Sequence, residues 1–591
     1  MLAPIDKTGP AGIRDRSIES HAMPPPWVRA AIAVRCNSTI RGHSAVSSEV
    51  VKALLNLLEH HITPIVPIRG SVSASGDLMP LSYIAGAVEG NPDIYVQVGD
   101  SSDCSSEAKV MTARDALLSM GLDARSMGPK EGLSIVNGTS SSAGLASLVM
   151  YESHQLAVLV QALSGMAVEA LMGNSESFHP FISAVRPHTG QSECASNVLS
   201  LLQGSHLAHG ISNAKDRKRS GLIQDRYALR SIPQWIGPQL EDLLSAHKQV
   251  TTELNSSCDN PLVDSASDDI YYGCNFQAVS ITSAMEKTRL SLQMLGKLIF
   301  AQSTEMIEPH LNNGLPTNLV ADDPNLSFTM KGVDTNMAAY MAELAHLAHP
   351  VSSHIQAAEM HNQSVNSMAL ATSRFSMQAA EILSIMCACH IYVGCQALDL
   401  RALHLKFIEH AAPAALLDVT AQVIRGVSDA DRTQLDTAFR VHIAKTWPKL
   451  NTLSSEDRCT EVAKSGLDVL VDVLGDISSS LRAHDLRNWK SQAATTLNET
   501  YHATAAQFFE NPHTEELLGK GSKAIYRTVR KTLGVPLHLG FVEHPTAMSD
   551  SLHGRDKKTI GSWVSIIYEA VRKGSLVAPL MEELRVLVPG S

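Results

Sequence analysis

The stretch from Arg69 to Ser82, RGSVSASGDLMPLS, places Ser71, Ser73 and Ser75 with Gly70 and Gly76 inside seven residues. Several chemistries use stretches of this kind. A nucleophilic serine on a strand-to-helix elbow needs glycine two residues before and two after it. Ser73 has Ser71 and Ser75 at those places, and Ser75 has Ser73 and Asp77, so neither qualifies. A phosphate-cradling loop needs Lys and then Ser or Thr after its last glycine, and no Lys follows here. The remaining chemistry is a reaction of the backbone itself. Gly76 has no side chain, so its nitrogen can approach the Ala74 carbonyl closely. Attack there closes a five-membered ring. Loss of water from the ring and from Ser75 leaves an exocyclic methylene conjugated to the ring carbonyl, the electrophile 4-methylideneimidazol-5-one. A plain flexible turn is the alternative reading of the same residues.

Other groups are spaced as a polar site would need. In IQDRYALRSIPQW, Gln224, Tyr227 and Arg230 recur every third residue. Arg230 can clamp a carboxylate through two parallel hydrogen bonds, or pair on the surface with an acidic side chain. Asn137 in VNGTSSS reads as a site amide or a helix-capping turn. Asn260 before Pro261 allows the same two readings. Glu359, Asn362, Gln363 and Asn366 fall in the proline-free run between Pro350 and Pro413 and are expected on a long helix. Buried without partners they would be costly, so they line a polar pocket or face solvent. Metal readings are weaker. Glu176 and His179 flank a turn, Glu499 and His502 lie in a charged region, and Glu343, His346 and His349 fan around a helix instead of converging. Cys387, Cys389, His390 and Cys395 read as side chains of a core helix.

The elements that must position these groups are mostly helical. The 591 residues are 44% hydrophobic and only 5% aromatic, and 48 basic against 59 acidic side chains give a net charge of −11. That composition describes a large folded protein and carries no sign of a nucleic-acid or membrane surface. Nine cysteines without framework spacing fit a reducing compartment. No apolar signal-peptide core lies between Met1 and Met23, and no uninterrupted apolar run reaches membrane-spanning length, so a cytoplasmic location is expected. Residues 1–26 read as loosely structured and 27–60 as helical. Residues 91–110 suggest a short hairpin, and 350–413 a core helix of roughly 90 Å with one or two breaks. Amphipathic helices are expected over 414–510, and a loop over 536–560 before a last helix. From the residues alone the fold is a large helical bundle.

The motifs RGHSAV, ITPIVPIRGSVSASGDLMPLSYIAGA, GPKEGLSIVNGTS, QDRYALRSIPQW, DNPLVD, NFQA, MEKTRL, KGVD, NQSVNS and QALDLRA occur together and in order. This set resembles the aromatic amino-acid ammonia-lyases and aminomutases, which share a fold with histidine ammonia-lyase, and is similar to the fungal phenylalanine ammonia-lyases from residue 27 onward. The resemblance implies a mostly α protein with a long-helix core and an added helical shielding region. Its parts would be 27–133 bearing the electrophile, a central bundle over 134–400, a shielding domain over 401–524, and 525–591 returning to the core. It implies that Ala74, Ser75 and Gly76 form the electrophile, that Asn137 and Gln363 hydrogen-bond around it, and that Tyr227 stands close by. Arg230 would grip the substrate carboxylate with help from Asn260, Gln224 would belong to the substrate-binding set, Phe276 would line the pocket, and Lys331 and Glu359 would complete its polar wall. It further implies a homotetramer whose sites draw on three subunits, a small aromatic amino acid as substrate, and no metal or diffusible cofactor.

The sequence departs from that pattern. In the family a tyrosine on a Gly-rich lid loop, well upstream of Ala-Ser-Gly, removes the substrate's β-proton, and no such motif precedes Ala74 here. The family's His-Gly-Gly-Asn is Tyr272-Gly273-Cys274-Asn275, and Thr335 stands where an aliphatic residue is usual. The functional readings are therefore a phenylalanine ammonia-lyase, an aminomutase on the same scaffold, and a silent subunit that lacks its base.

Overall fold

The computed structural model describes residues 21–99, 108–210, 224–475 and 482–585. Most of them are helical, as expected. The expected loose segment at 1–26 lies outside the described residues up to position 20. The helices that matter below are α1 (Pro25–Thr39), α2 (Ser48–Glu59), α3 (Leu78–Val88), α4 (Glu131–Val136), α5 (Ser140–Ala170), α6 (Tyr227–Arg230), α7 (Ile232–Leu254), α8 (Val279–Ile307), α9 (Lys331–Leu347), α10 (Ala369–Lys406), α11 (Ala412–Val423), α12 (Asp429–Thr446), α13 (Ser455–Leu474) and α14 (Ala483–Glu510). The chain divides into two compact units. One holds Met1–His154, Gln239–Gln293 and Leu344–Glu381, and the other holds Gln155–Pro238, Met294–Glu343 and Ile382–Ser591. Five long helices, α5, α7, α8, α9 and α10, each contribute residues to both.

In the first unit, α2 buries Val50, Val51, Leu54 and Leu57, the apolar face that its 3.6-residue period predicts. These residues meet α1, which buries Val28, Ala31 and Ile32. A Cβ on Gly144 of α5 would come within 2.9 Å of the Ala30 backbone, so only glycine lets α5 approach α1 this closely. A three-stranded antiparallel sheet, β1 (Ile62–Pro64), β2 (Tyr95–Val98) and β3 (Lys109–Thr112), pairs Ile62 with Val98 and Tyr95 with Thr112. β2 and β3 are the two arms of the hairpin expected over 91–110, and residues 100–107 between them lie outside the described set. Residues 65–77 connect β1 to α3 and carry the Ala-Ser-Gly tripeptide.

In the second unit, the later part of α10 is buried almost without interruption from Ile382 to Leu403. Gly394 makes room there for Met166 of α5, whose Sδ would lie 2.4 Å from an added Cβ. Helices α11 to α14 enclose their own core, with Phe439, Trp447, Trp489 and Leu497 at its centre. Ser428 and Asp431 form a reciprocal capping box at the start of α12, which fixes where that helix begins.

Two expectations are corrected. The proline-free run does not form one helix from 350, since α10 begins only at Ala369 and reaches about 57 Å at about 1.5 Å per residue. Residues 359–361 break it by adopting left-handed φ values of 49°, 52° and 69°. In addition, two helical stretches, Glu131–Ala170 and Ala369–Val423, are apolar and long enough to span a membrane by composition, although the sequence reading found none. Their most apolar windows are 61% and 89% buried inside the fold, as core helices are.

Candidate active site

The tripeptide is held from both ends. Upstream, Ser73 is buried in a left-handed conformation (φ 48°) that a β-carbon ordinarily disfavours. The turn entering α10 fixes it there: Ser367 Oγ donates to Ser73 O at 2.6 Å, and Leu370 N donates to Ser73 Oγ at 3.1 Å. The orphan amides of a helix N-terminus thus find their acceptors in the segment preceding Ala74. Downstream, Asp77 N donates to Gly138 O at 2.7 Å. The fully buried Asp77 carboxylate accepts from Ser73 Oγ at 2.6 Å, Ser71 Oγ at 3.2 Å and Ser142 N, in the first turn of α5, at 2.7 Å. Burial pushes the Asp77 pKa up, and these donors oppose that rise.

Between the clamps, Gly76 has φ 70° and lies so close to Gly138 that an added Cβ would be 2.3 Å from its carbonyl oxygen. Only glycine fits on both counts. Among the described residues nothing accepts the Gly76 N–H. Ser75 is gripped at two atoms: Asn137 Nδ2 donates to its carbonyl at 2.8 Å, and Gln363 Nε2 donates to its hydroxyl at 3.0 Å. If Gly76 N closed onto the Ala74 carbonyl carbon, the oxygen held by Asn137 would be the ring carbonyl conjugated to the methylene. The oxygen held by Gln363 would be the one that departs.

Asn137 caps the C-terminal end of α4, three residues before α5 begins, and does not open a helix itself. Glu359, Asn362, Gln363 and Asn366 lie in the loop before α10, which corrects their expected helical placement. Ala358 and Gln363 exchange both backbone hydrogen bonds at 3.2 Å across the left-handed turn, and this aims Gln363 at Ser75. Asn362 Nδ2 donates to Glu359 Oε2 at 3.0 Å, and Asn366 Nδ2 to Gln356 O at 2.7 Å. Asn260, joined to Pro261 by a cis peptide, accepts Gly273 N on its Oδ1 at 2.9 Å. That bond ties it to the segment ending in the partly buried Phe276, just before α8.

Gln224, Tyr227, Arg230 and Lys331 belong to the second unit. Arg230 Nη1 donates to Gln224 Oε1 at 2.7 Å, and its guanidinium lies 4.8 Å from the centre of the Tyr227 ring. Tyr227 is 72% exposed, and among the described residues no carboxylate pairs with Arg230. Lys331 opens α9 with its ammonium 4.7 Å above the Phe328 ring, while Thr335 Oγ1 bonds back to Lys331 O. Sequence reasoning weighed Ser73 only as a nucleophile and passed over Asp77, Ser367 and Phe328. The signal for Asp77 was its place directly after the tripeptide. The clamp from Ser367 joins positions 294 residues apart and has no local signature.

Among the described residues no group of three or more His, Cys, Asp or Glu is arranged to hold a metal ion. Cys387, Cys389 and Cys395 are buried on α10, and burial pushes the thiols of Cys389 and Cys395 up to about 12.

The mostly helical fold is that of the phenylalanine and histidine ammonia-lyases. The solved structure of phenylalanine ammonia-lyase from the yeast Rhodosporidium toruloides superposes with a TM-score of 0.87 at 39% identity, covering 95% of this chain and 84% of that one. The sequence profile for aromatic amino acid lyases matches residues 11–422, and the chain belongs to that family. It is 54% identical to a phenylalanine aminomutase (L-β-phenylalanine forming) of Talaromyces islandicus, over 96% of this chain and 78% of the relative. It is 51% identical to a phenylalanine ammonia-lyase of Aspergillus hancockii, over 97% of this chain and 82% of the relative.

Proposed function

We propose that the protein deaminates L-phenylalanine without oxidation, giving trans-cinnamate and ammonia, at an electrophile built from Ala74, Ser75 and Gly76. The observation that carries this reading is the double grip on Ser75 by Asn137 and Gln363, with Gly76 pressed against Gly138. The residues fit the ring: Gly76 has a free amide and no side chain, and each Ser75 oxygen has its own donor. Once formed, the ring supplies an electrophilic carbon that makes the substrate amine a better leaving group.

As the C–N bond breaks, the β-proton must pass to a base, and in this chain that base is a group other than the family's lid tyrosine; the binding and polarising steps belong to the side chains below. Asn137 withdraws electron density from the Ser75 carbonyl and stabilises negative charge there. Gln363 assists departure of the Ser75 hydroxyl as the electrophile matures. Arg230, oriented by Gln224 and backed by Tyr227, binds the substrate carboxylate, and Asn260 adds a second amide to it. Phe276 contacts the aromatic ring, and Lys331 and Glu359 hold charge around the amine. We infer that copies of the chain combine these residue sets in a homotetramer, with sites drawn from three subunits.

The test is to incubate this chain with L-phenylalanine and L-tyrosine, following cinnamate or coumarate absorbance and resolving β-amino acids by chiral chromatography. Cinnamate from L-phenylalanine, lost in Ser75→Ala, supports the reading. β-Phenylalanine as main product would assign an aminomutase, the activity named for the relative of Talaromyces islandicus. No product from a chain whose tripeptide has cyclised would assign a silent subunit.

A further inference from the structure

Arg35 of α1 is fully buried beneath the site, and nothing in the proposed chemistry uses it. Its Nη1 donates to Cys258 O at 2.8 Å and its Nη2 donates to Ser134 O. A Cβ on Gly138 would lie only 2.0 Å from Nη1, so the guanidinium rests directly on the residue after Asn137. One planar group therefore touches the chain on both sides of Asn137 and the chain two residues before Asn260. A parallel strut reinforces the second arm. Lys130 Nζ, just before α4, donates to Asp259 Oδ2 and to Ser134 Oγ, both at 2.7 Å. The Asp259 carboxylate accepts Asn260 N on its other oxygen at 2.7 Å. Burial lowers the Arg35 pKa, and the nearby Asp259 opposes that shift.

We propose that Arg35 is a positioning residue that holds Asn137 and Asn260 in one frame, so that the amide facing the electrophile and the amide facing the substrate carboxylate keep a fixed separation. This rests on the roles given to Asn137 and Asn260 above. Arg35 touches the chain on both sides of Asn137, whereas Lys130 reaches that arm only at the Ser134 side chain and serves the Asn260 arm through Asp259.

The experiment compares the full chain with Arg35→Lys, Arg35→Met and Lys130→Met. Ring formation is read as the loss of two water masses from the intact protein, and carboxylate binding by calorimetric titration with trans-cinnamate. Neither readout requires turnover, so failure of the lyase reading stays distinguishable from failure of this one. Arg35→Lys keeps the charge but loses the two-pronged fork. It should form the ring incompletely and bind cinnamate about 10-fold more weakly, and Arg35→Met should be worse on both counts. Lys130→Met should form the ring fully and weaken only cinnamate binding, by about 3- to 10-fold. Wild-type ring yield and cinnamate affinity in Arg35→Lys would overturn the proposal. If the Arg35 variants do not fold, unchanged cinnamate binding by Lys130→Met overturns it, and selective weakening supports it.

Discussion

Asn137 and Gln363 grip different atoms of Ser75, and their loss should separate accordingly. Asn137→Ala removes a donor to the carbonyl that carries developing charge. Its kcat for L-phenylalanine should fall by about 10²- to 10³-fold with little change in KM, measured by steady-state cinnamate formation. Arg230→Lys keeps a charge but loses the planar fork. It should raise KM by about 10-fold or more and lower kcat less. Equal losses in kcat and KM in both variants would contradict the division of roles. At this scale the groups that meet at Ser75 were legible: the Ala74-Ser75-Gly76 tripeptide, Asn137 and Gln363 were named from their motifs. The Ser73–Ser367 contact was not, because it joins two distant serines whose immediate neighbours look like ordinary turn residues.

The site is set by where helices start. The turn entering α10 supplies amides to Ser73, and the first turn of α5 supplies one to Asp77, so the tripeptide is stretched between two helix N-termini. Ser367→Ala deletes the 2.6 Å bond to Ser73 O and leaves a buried carbonyl with only the longer 3.4 Å bond from Ser367 N. It should cost about 1–3 kcal/mol in unfolding free energy and slow cyclisation, followed by the intact mass of freshly made protein over time. The α11–α14 core provides a contrast. Trp489, stacked on Phe439 at 6.0 Å and donating to Thr420 Oγ1 at 2.9 Å, is fully buried there. Trp489→Ala should destabilise that core by about 3–5 kcal/mol, seen in thermal unfolding, while the tripeptide still cyclises. Helix content was legible because alanine, leucine and methionine dominate an apolar period. A break in the run was expected, but its place before Ala369 was not legible, because neither proline nor glycine marks it. Three consecutive left-handed residues interrupt the run, closed by the local Ala358–Gln363 bridge.

Across the whole molecule, buried titratable groups set the response to acid. His390 is fully enclosed; its Nε2 lies 3.2 Å from Leu163 O, and its Nδ1 lies 2.9 Å from Ser303 Oγ and 3.2 Å from Ile299 O. Desolvation lowers its pKa to about 4. The unfolded chain takes up that proton near pH 6.5 and the folded chain only near 4. The contribution of His390 is therefore complete above pH 6.5 and is lost as pH falls toward 4, on the order of 3 kcal/mol in all. Asp77 acts in the opposite sense, since its raised pKa favours the fold at low pH and disfavours it as pH rises. The urea midpoint should thus drop between pH 7 and 5, and His390→Gln should flatten that drop; an unchanged slope would show that His390 does not report burial. The claim on which the rest depends is that residues 74–76 become an electrophile without help from another protein. The intact mass of the purified chain tests it most directly. The account predicts a mass two waters below that of the linear sequence, restored in Ser75→Ala, and a wild-type chain at its full linear mass would contradict it.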